Sequence, residues 1–411
     1  MSLWRQRDFM SLWSAQTVSQ VGSQVTVLAL PLTAILVLQA DTFEVGLLGT
    51  AQFLPFVLVG LPAGVWVDRL PRRPILIVGD LGRAAALVSI PAAHALGVLT
   101  MGQLYAVAFV AGVLTVFFDV AYMAYLPSLV GREHLVEGNS KLEISRSAAQ
   151  VTGPGLAGAL VDLFKGPVAI AVDAASYVGS ALFVLRIRRQ EPPNTSGTRP
   201  RMTTGIAEGL RYVTRHRLLR WIAACTAISN LFGQMAQTVL LVFAVRELDM
   251  SPGLIGVVFS AGSVAALAAA FVSTRAPQRI GVGPTIVGAA AIGSAAGLIL
   301  PLATRSNGLA LLVGWSLVVA FAGVLYNVTQ GSLRQAITPE RMQGRMNATM
   351  RFMVWGTIPV GSLLGGVLGE VIGLRPTLVV AAVGGLTAVV PVLFSDVRDL
   401  HEVPDGTLVG A

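Results

Sequence analysis

Lysine is nearly absent from this chain of 411 residues: of 29 basic side chains only Lys141 and Lys165 are lysines. A phosphate-cradling Gly-x-x-x-x-Gly-Lys-Ser/Thr loop needs a lysine directly after glycine. Lys141 follows Ser140 and Lys165 follows Phe164, so ATP hydrolysis by this polypeptide is not expected. Cys225 is the single cysteine, which rules out an intramolecular disulfide and a thiolate metal cluster. Four histidines, His94, His134, His216 and His401, have no metal-ligand spacing, so no metal is expected. No acyl-transfer or metal-hydrolase constellation is present, and neither an enzyme nor a cofactor is expected. Charge is scarce as well, at 12% of residues. A formal net charge of +8 could suggest nucleic acid, but that would require a soluble basic face with aromatics among the charges, and the chain holds none.

Apolar residues are what the chain has in abundance: 54% are hydrophobic and the mean hydropathy is +0.72. A helix needs about 20 apolar residues to cross a bilayer. Twelve such runs can be read, from 10–38 through 45–67, 143–164, 283–303 and 350–372 to 376–395, which predicts an all-α polytopic membrane protein. The first run is too long for a cleavable signal and carries Gln16, Gln20 and Gln24. Basic residues decide the orientation. With the N-terminus inside, 24 of the 29 fall at cytoplasmic ends or loops; Lys165, Arg246, Arg305 and Arg375 fall outside and Arg83 lies within a span. This positive-inside bias predicts a multi-pass protein of the cell membrane with both termini cytoplasmic.

Shifting the sequence by 208 positions places Asn139 on Asn347, Gly158 on Gly366 and Asp162 on Glu370. An offset of half the chain signals duplication, and six spans per copy make the repeats parallel. The expected organisation is a six-helix bundle over 1–186, a cytoplasmic linker over 187–217 containing Pro192-Pro193-Asn194-Thr195-Ser196-Gly197-Thr198, a second bundle over 218–396 and a tail over 397–411. Two tethered bundles can rock about a site near the bilayer midplane.

Between the second and third runs lies Gly64-Val65-Trp66-Val67-Asp68-Arg69-Leu70-Pro71-Arg72-Arg73. Glycine permits close helix approach, the aspartate can face helix N-termini, and the arginines grip carbonyls, carboxylates or headgroups. This turn resembles the loop between helices two and three of the major facilitator superfamily of secondary transporters, with Pro71 in place of the usual glycine. Leu126-Pro127 before Gly131-Arg132-Glu133, Asn139, and Thr338-Pro339-Glu340-Arg341-Met342-Gln343-Gly344-Arg345 are similar to the branch holding macrolide efflux pumps, related multidrug exporters and the enterobactin exporter. The resemblance implies twelve transmembrane helices in two parallel repeats and a cytoplasmic gate made by Gly64, Asp68, Arg69, Arg72 and Arg73. Gly153-Pro154-Gly155-Leu156-Ala157-Gly158 is similar to the antiporter signature, with Ala157 replacing one glycine; it favours export, although a small-residue packing face would read alike.

Without a nucleotide site the energy source is an ion gradient, which requires a titratable group inside the membrane. Asp80, Asp119 and Asp173 lie within spans. Asp119 aligns with Asn327 at the repeat offset, and Arg83 sits at similar depth with Asp80 one turn away. Asp80, Arg83 and Asp119 are the expected proton-coupling cluster, a structural ion pair being the bland alternative. Asp173, close to the outer end of its span, is expected to meet water or headgroups in a structural or interfacial role. Gln16, Gln20, Ser23 and Gln24 form one helical stripe, and Asn230, Gln234, Gln237 and Thr238 repeat it. With Phe118, Tyr122, Tyr326, Asn327 and Gln330 they are the expected substrate cavity. The resemblance implies cavity-lining helices 1, 4, 7 and 10, and amides mixed with rings suit amphipathic or aromatic compounds. The expected function is proton-coupled efflux of drug-like or natural-product small molecules by a monomer in the lipid bilayer. An importer, a siderophore or lysolipid carrier, and a non-transporting sensor are the alternatives.

Overall fold

A computed structural model describes residues 3–67, 69–131, 134–188 and 202–402. The described residues contain helices and no strands. Two compact units emerge, one of residues 1–197 with 251–260, the other of 198–250 with 261–411.

The first unit holds α1 (Arg7–Leu36), α2 (Thr42–Leu58), α3 (Gly60–Val67), α4 (Arg72–Ala95), α5 (Met101–Val130), α6 (Leu135–Phe164) and α7 (Gly166–Leu185). Here α1 packs against α6 and α7, α4 against α5 and α7, and α2 against α5. The second unit holds α8 (Met202–Arg215), α9 (Leu219–Arg246), most of α10 (Pro252–Val272), α11 (Arg275–Ile280), α12 (Val282–Ala296), α13 (Gly308–Ile337), α14 (Glu340–Trp355), α15 (Thr357–Val371), α16 (Leu374–Leu386) and α17 (Val389–Leu393). In this unit α9 packs against α15 and α16, and α12 against α13 and α16, while α8 lies on α14.

Among the described residues, ten helical segments are long and apolar enough to cross a membrane. Two of the predicted runs take another form. The run at 45–67 is two helices parted at Val59, whose N–H reaches the Pro55 carbonyl at 2.8 Å just before Gly60. The run at 143–164 is the C-terminal part of α6; the earlier turns of that helix carry Glu137 and Lys141, and the first turn of the run itself carries Glu143 and Arg146. Large apolar side chains such as Val78 and Val88 on α4, Leu163 on α6 and Phe271 on α10 are exposed. Such faces belong in hydrocarbon rather than water.

Local chemistry fixes the turns in matching ways. Asp41 caps α2 in a reciprocal box with Glu44, accepting from the Glu44 N–H at 2.7 Å while Glu44 accepts from the Asp41 N–H at 3.0 Å. Ser251 stands before α10 and accepts from the Leu254 N–H at 3.4 Å, without the reciprocal bond. Just upstream, Gln39 and Asp249 both take left-handed backbone, with φ of 55° and 58°. The Ala40 N–H reaches the Ala34 carbonyl and the Met250 N–H the Ala244 carbonyl, each at 2.9 Å. Lys165, in the tight turn from α6 to α7, has φ of 66°, and Gly373, displaced by the repeat offset, has φ of 90°. The linker prediction falls partly on 189–201, outside the described residues; Met202–Arg215 is helical.

Candidate functional site

Arg83 is the centre of the first unit. It projects from α4 and is only 4% exposed. Its Nη2 donates to Asp80 Oδ1 at 2.6 Å and its Nε to the Gly79 carbonyl at 3.2 Å, tying it to its own helix. The guanidinium carbon sits 4.3 Å from the centroid of Phe118 on α5 and 4.1 Å from that of Tyr177 on α7, so two rings from different helices clasp it. Cation–π contacts of this kind strengthen when desolvated. A Cβ at Gly79 would stand in ordinary van der Waals contact with the Phe118 ring, at 3.4 Å.

Acids gather around this cation. Asp80 is 0% exposed, and its Oδ2 is buried without a hydrogen-bond partner among the described residues. Asp119, half-buried on α5, and Asp173 on α7 are within electrostatic reach of Arg83. Asp173 is where the sequence reading needs correction. Expected to meet water, it is 0% exposed and accepts hydrogen bonds from Thr26 on α1 and from Ser176 at 3.0 Å. Gly22 of α1 makes room for this, since any side chain there would strike Ser176 and Asp173. Tyr177 completes the network through a 2.7 Å hydrogen bond with Ser23. Four helices, α1, α4, α5 and α7, therefore converge on one guanidinium and three carboxylates.

The second unit carries no such charge at the matching places. A shift of 208 turns Asp80, Arg83, Asp119 and Asp173 into Gly288, Ala291, Asn327 and Ala381. What stands there is neutral: Tyr326 on α13 shares a 2.8 Å hydrogen bond with Thr226 on α9. Asn327 is exposed, whereas Gln330 is buried and donates to the Asn327 carbonyl at 3.4 Å.

Of the remaining predicted residues, Gln16 is buried and Gln20 half-buried on α1. Gln24 packs its Cβ and Cγ onto Gly153 of α6. At the corresponding place Gln234 packs its Cβ 3.2 Å from where a Cβ would stand on Gly361 of α15. Asn230 donates to the Val354 carbonyl at 3.2 Å, Thr238 pairs with Ser362 at 3.0 Å, and Gln237 is half-buried. Phe118 and Tyr122 stack at 6.5 Å. Gly158 meets α10 so closely that a Cβ there would lie 2.8 Å from Gly256 Cα, and the Pro154 carbonyl approaches Gly256 equally. In the gate motif Arg73 donates to the Val184 and Leu185 carbonyls at 3.3 and 2.8 Å, covering the C-terminal end of α7. Arg69 is exposed, Gly64 and Arg72 are half-buried, and Asp68 lies outside the described residues, as do Arg132 and Glu133. Among the described residues no group of three His, Cys, Asp or Glu is placed to hold a metal ion.

Comparison with known proteins agrees with this architecture. The sequence pattern of a family described as transmembrane secretion effector matches residues 1–405. The multidrug efflux pump Tap of Mycolicibacterium fortuitum is 26% identical over 402 residues, covering 95% of this chain and 96% of that protein. Macrolide efflux protein A of Streptococcus pyogenes is 28% identical over 183 residues, 44% of each. The uncharacterized MFS-type transporter YfiS of Bacillus subtilis is 26% identical, and the match spans 57% of its length. Among solved structures, a bacterial homologue of the iron transporter ferroportin superposes with a TM-score of 0.75 at 18% identity, covering 95% of this chain and 98% of that one.

Proposed function

The chain belongs to the transmembrane secretion effector family of major facilitator transporters, and from that premise we propose that it exports amphipathic drug-like or natural-product molecules in exchange for protons. It is a multi-pass membrane transporter rather than an enzyme. The proposed architecture is twelve spans in two parallel repeats, supported by the matching helix pairings and by the twin left-handed turns at Gln39 and Asp249. Alternating access is the mechanism such repeats favour.

Proton coupling rests on one observation: the buried Arg83 pairs with Asp80 and has Asp119 and Asp173 within electrostatic reach. A charge in the middle of a membrane is expensive and persists where it has a partner or a task. Arg83 offers one positive charge to three carboxylates, so occupancy of this cluster by a proton changes its electrostatic balance and its pairing. The presence of charge at positions 80, 83, 119 and 173 and its lack at 288, 291, 327 and 381 supports a division of labour, with the first unit handling the proton and the second supplying neutral hydrogen bonds. Asp119 is the proposed proton carrier, being half-buried where Asp80 is sealed in its ion pair. Efflux is supported by the relatives named above for drug and macrolide export, and the Gly153, Pro154 and Gly158 stretch agrees with exchange. The gate role of Asp68, Arg69, Arg72 and Arg73, and a cavity lined by Gln16, Gln20, Gln24, Phe118, Tyr122, Asn230, Gln234, Gln237, Tyr326, Asn327 and Gln330, are parts of the same proposal. The distribution of arginines supports cytoplasmic termini.

Cells overproducing the chain should accumulate less ethidium than cells carrying an empty vector, and a protonophore should erase the difference. A difference that survives the protonophore contradicts proton coupling; no difference for ethidium or any member of a susceptibility panel contradicts drug export.

A further inference from the structure

Within the second unit a cavity of about 810 Å³ opens between α8 and the start of α14. Its lining is unusually basic. Arg211 and Arg215 stand one turn apart on the exposed face of α8, and among the described residues neither makes an ion pair. Arg345 faces them from α14 and is held by Glu208, which neutralises the one acid in the wall. Among the described residues, three guanidiniums and one carboxylate line it, a site short of negative charge.

His216 adds a directed donor. Its Nδ1 accepts from the backbone N–H groups of Leu218 and Leu219 at 3.2 and 3.4 Å, capping the entry to α9. That role places the ring hydrogen on Nε2, which is buried without a partner among the described residues. Burial also lowers the His216 pKa, in keeping with a neutral ring. Tyr212 packs its ring 5.6 Å from the imidazole, and Pro339 and Met342 supply an apolar wall.

We propose that this cavity is a binding site for a phosphate ester, its oxygens held by Arg211, Arg215 and the His216 Nε2 hydrogen, its carbon portion resting against Pro339 and Met342. Guanidinium matches phosphate in charge and in fork geometry. The cavity far exceeds the needs of a bare anion and has room for an esterified headgroup. The basic residues lie on the side that the charge distribution assigns to the cytoplasm, where anionic lipid headgroups and soluble phosphate esters are both available.

The test uses the full-length chain purified in neutral detergent, with phosphatidylglycerol and glycerol 1-phosphate as separate probes and binding read by native mass spectrometry. At least one probe should bind the wild type, with affinity falling about five-fold for each arginine removed in Arg211→Gln and Arg215→Gln, as expected for a basic side chain near an anionic headgroup. Binding of phosphatidylglycerol alone assigns the site to a lipid, and binding of glycerol 1-phosphate to a soluble ester. Met342→Glu, which sets a negative charge in the opposite wall, gives a second reading should the arginine variants fold poorly. Equal binding by wild type and all variants, or binding of neither probe, overturns the site. The readout involves no transport, so its failure leaves the efflux proposal standing and the converse also holds.

Discussion

Arg83 and His216 carry the sharpest predictions at the level of single residues. Replacing Arg83 by glutamine would leave Asp80 buried and unpaired, a change that costs about 3–5 kcal/mol when one partner of a buried ion pair is removed. The purified Arg83→Gln protein should therefore unfold at markedly lower temperature, and Asp80→Asn added to it should restore part of the loss. Arg83→Lys should not substitute, because a compact ammonium cannot fill the planar space between Phe118 and Tyr177. Recovery with lysine would contradict the clasp. His216 predicts a pH effect. Its pKa is lowered from the ordinary 6.5 by burial, so the unfolded chain takes up the proton first as pH falls. The stability it contributes is whole above 6.5 and is lost as pH descends through the folded value. The unfolding temperature should drop more steeply below pH 6.5 in wild type than in His216→Asn, and parallel curves would contradict the cap.

At the level of the helix, glycines decide which pairs can close. Gly22 faces Ser176 and Asp173, and Gly361 faces the Leu231 carbonyl, with no room for a methyl group at either place. Gly288, interior to α12, borders open space, and a Cβ added there would meet nothing within 4 Å. Gly22→Ala and Gly361→Ala should lower folded yield and melting temperature, whereas Gly288→Ala should be neutral or raise stability by about 0.5–1 kcal/mol. Fluorescence-detected size exclusion with heating distinguishes them. The same scale separates what the sequence discloses from what it hides. Apolar runs of about 20 residues are visible because a helix must satisfy its own backbone in lipid. The break at Val59 and the charged first half of α6 are hidden, because both depend on neighbours that tolerate them. Arg83 and Asp119 can be linked by depth, and Asp80 to Arg83 by the spacing of one helical turn. Asp173 cannot be placed, because counting residues from the end of a span does not reveal that Thr26 and Gly22 of α1 cover it. Likewise the sequence offers Arg73 carbonyls, carboxylates or headgroups, and only the packing of α7 reveals that the carbonyls of Val184 and Leu185 are among its partners.

For the molecule as a whole, orientation can be read with a single reactive group. Cys225 is the only cysteine and is buried, so Cys225→Ser provides a background for introduced cysteines. A membrane-impermeant maleimide applied to intact cells should label Thr304→Cys, and should label Glu402→Cys only after permeabilisation. The reverse pattern would contradict the topology drawn from the arginines. Two units that share several helix pairings, α1 with α6 and α7 and α9 with α15 and α16, one carrying charge where the other is neutral, lead to the central claim: a proton taken up in the first drives export. Proteoliposomes holding wild type or Asp119→Asn, loaded with ethidium and given an imposed pH gradient, test it most directly. The predicted result is gradient-driven dye movement by the wild type and its loss in the variant, with folded protein of equal amount in both. Undiminished gradient-driven movement by Asp119→Asn would contradict it.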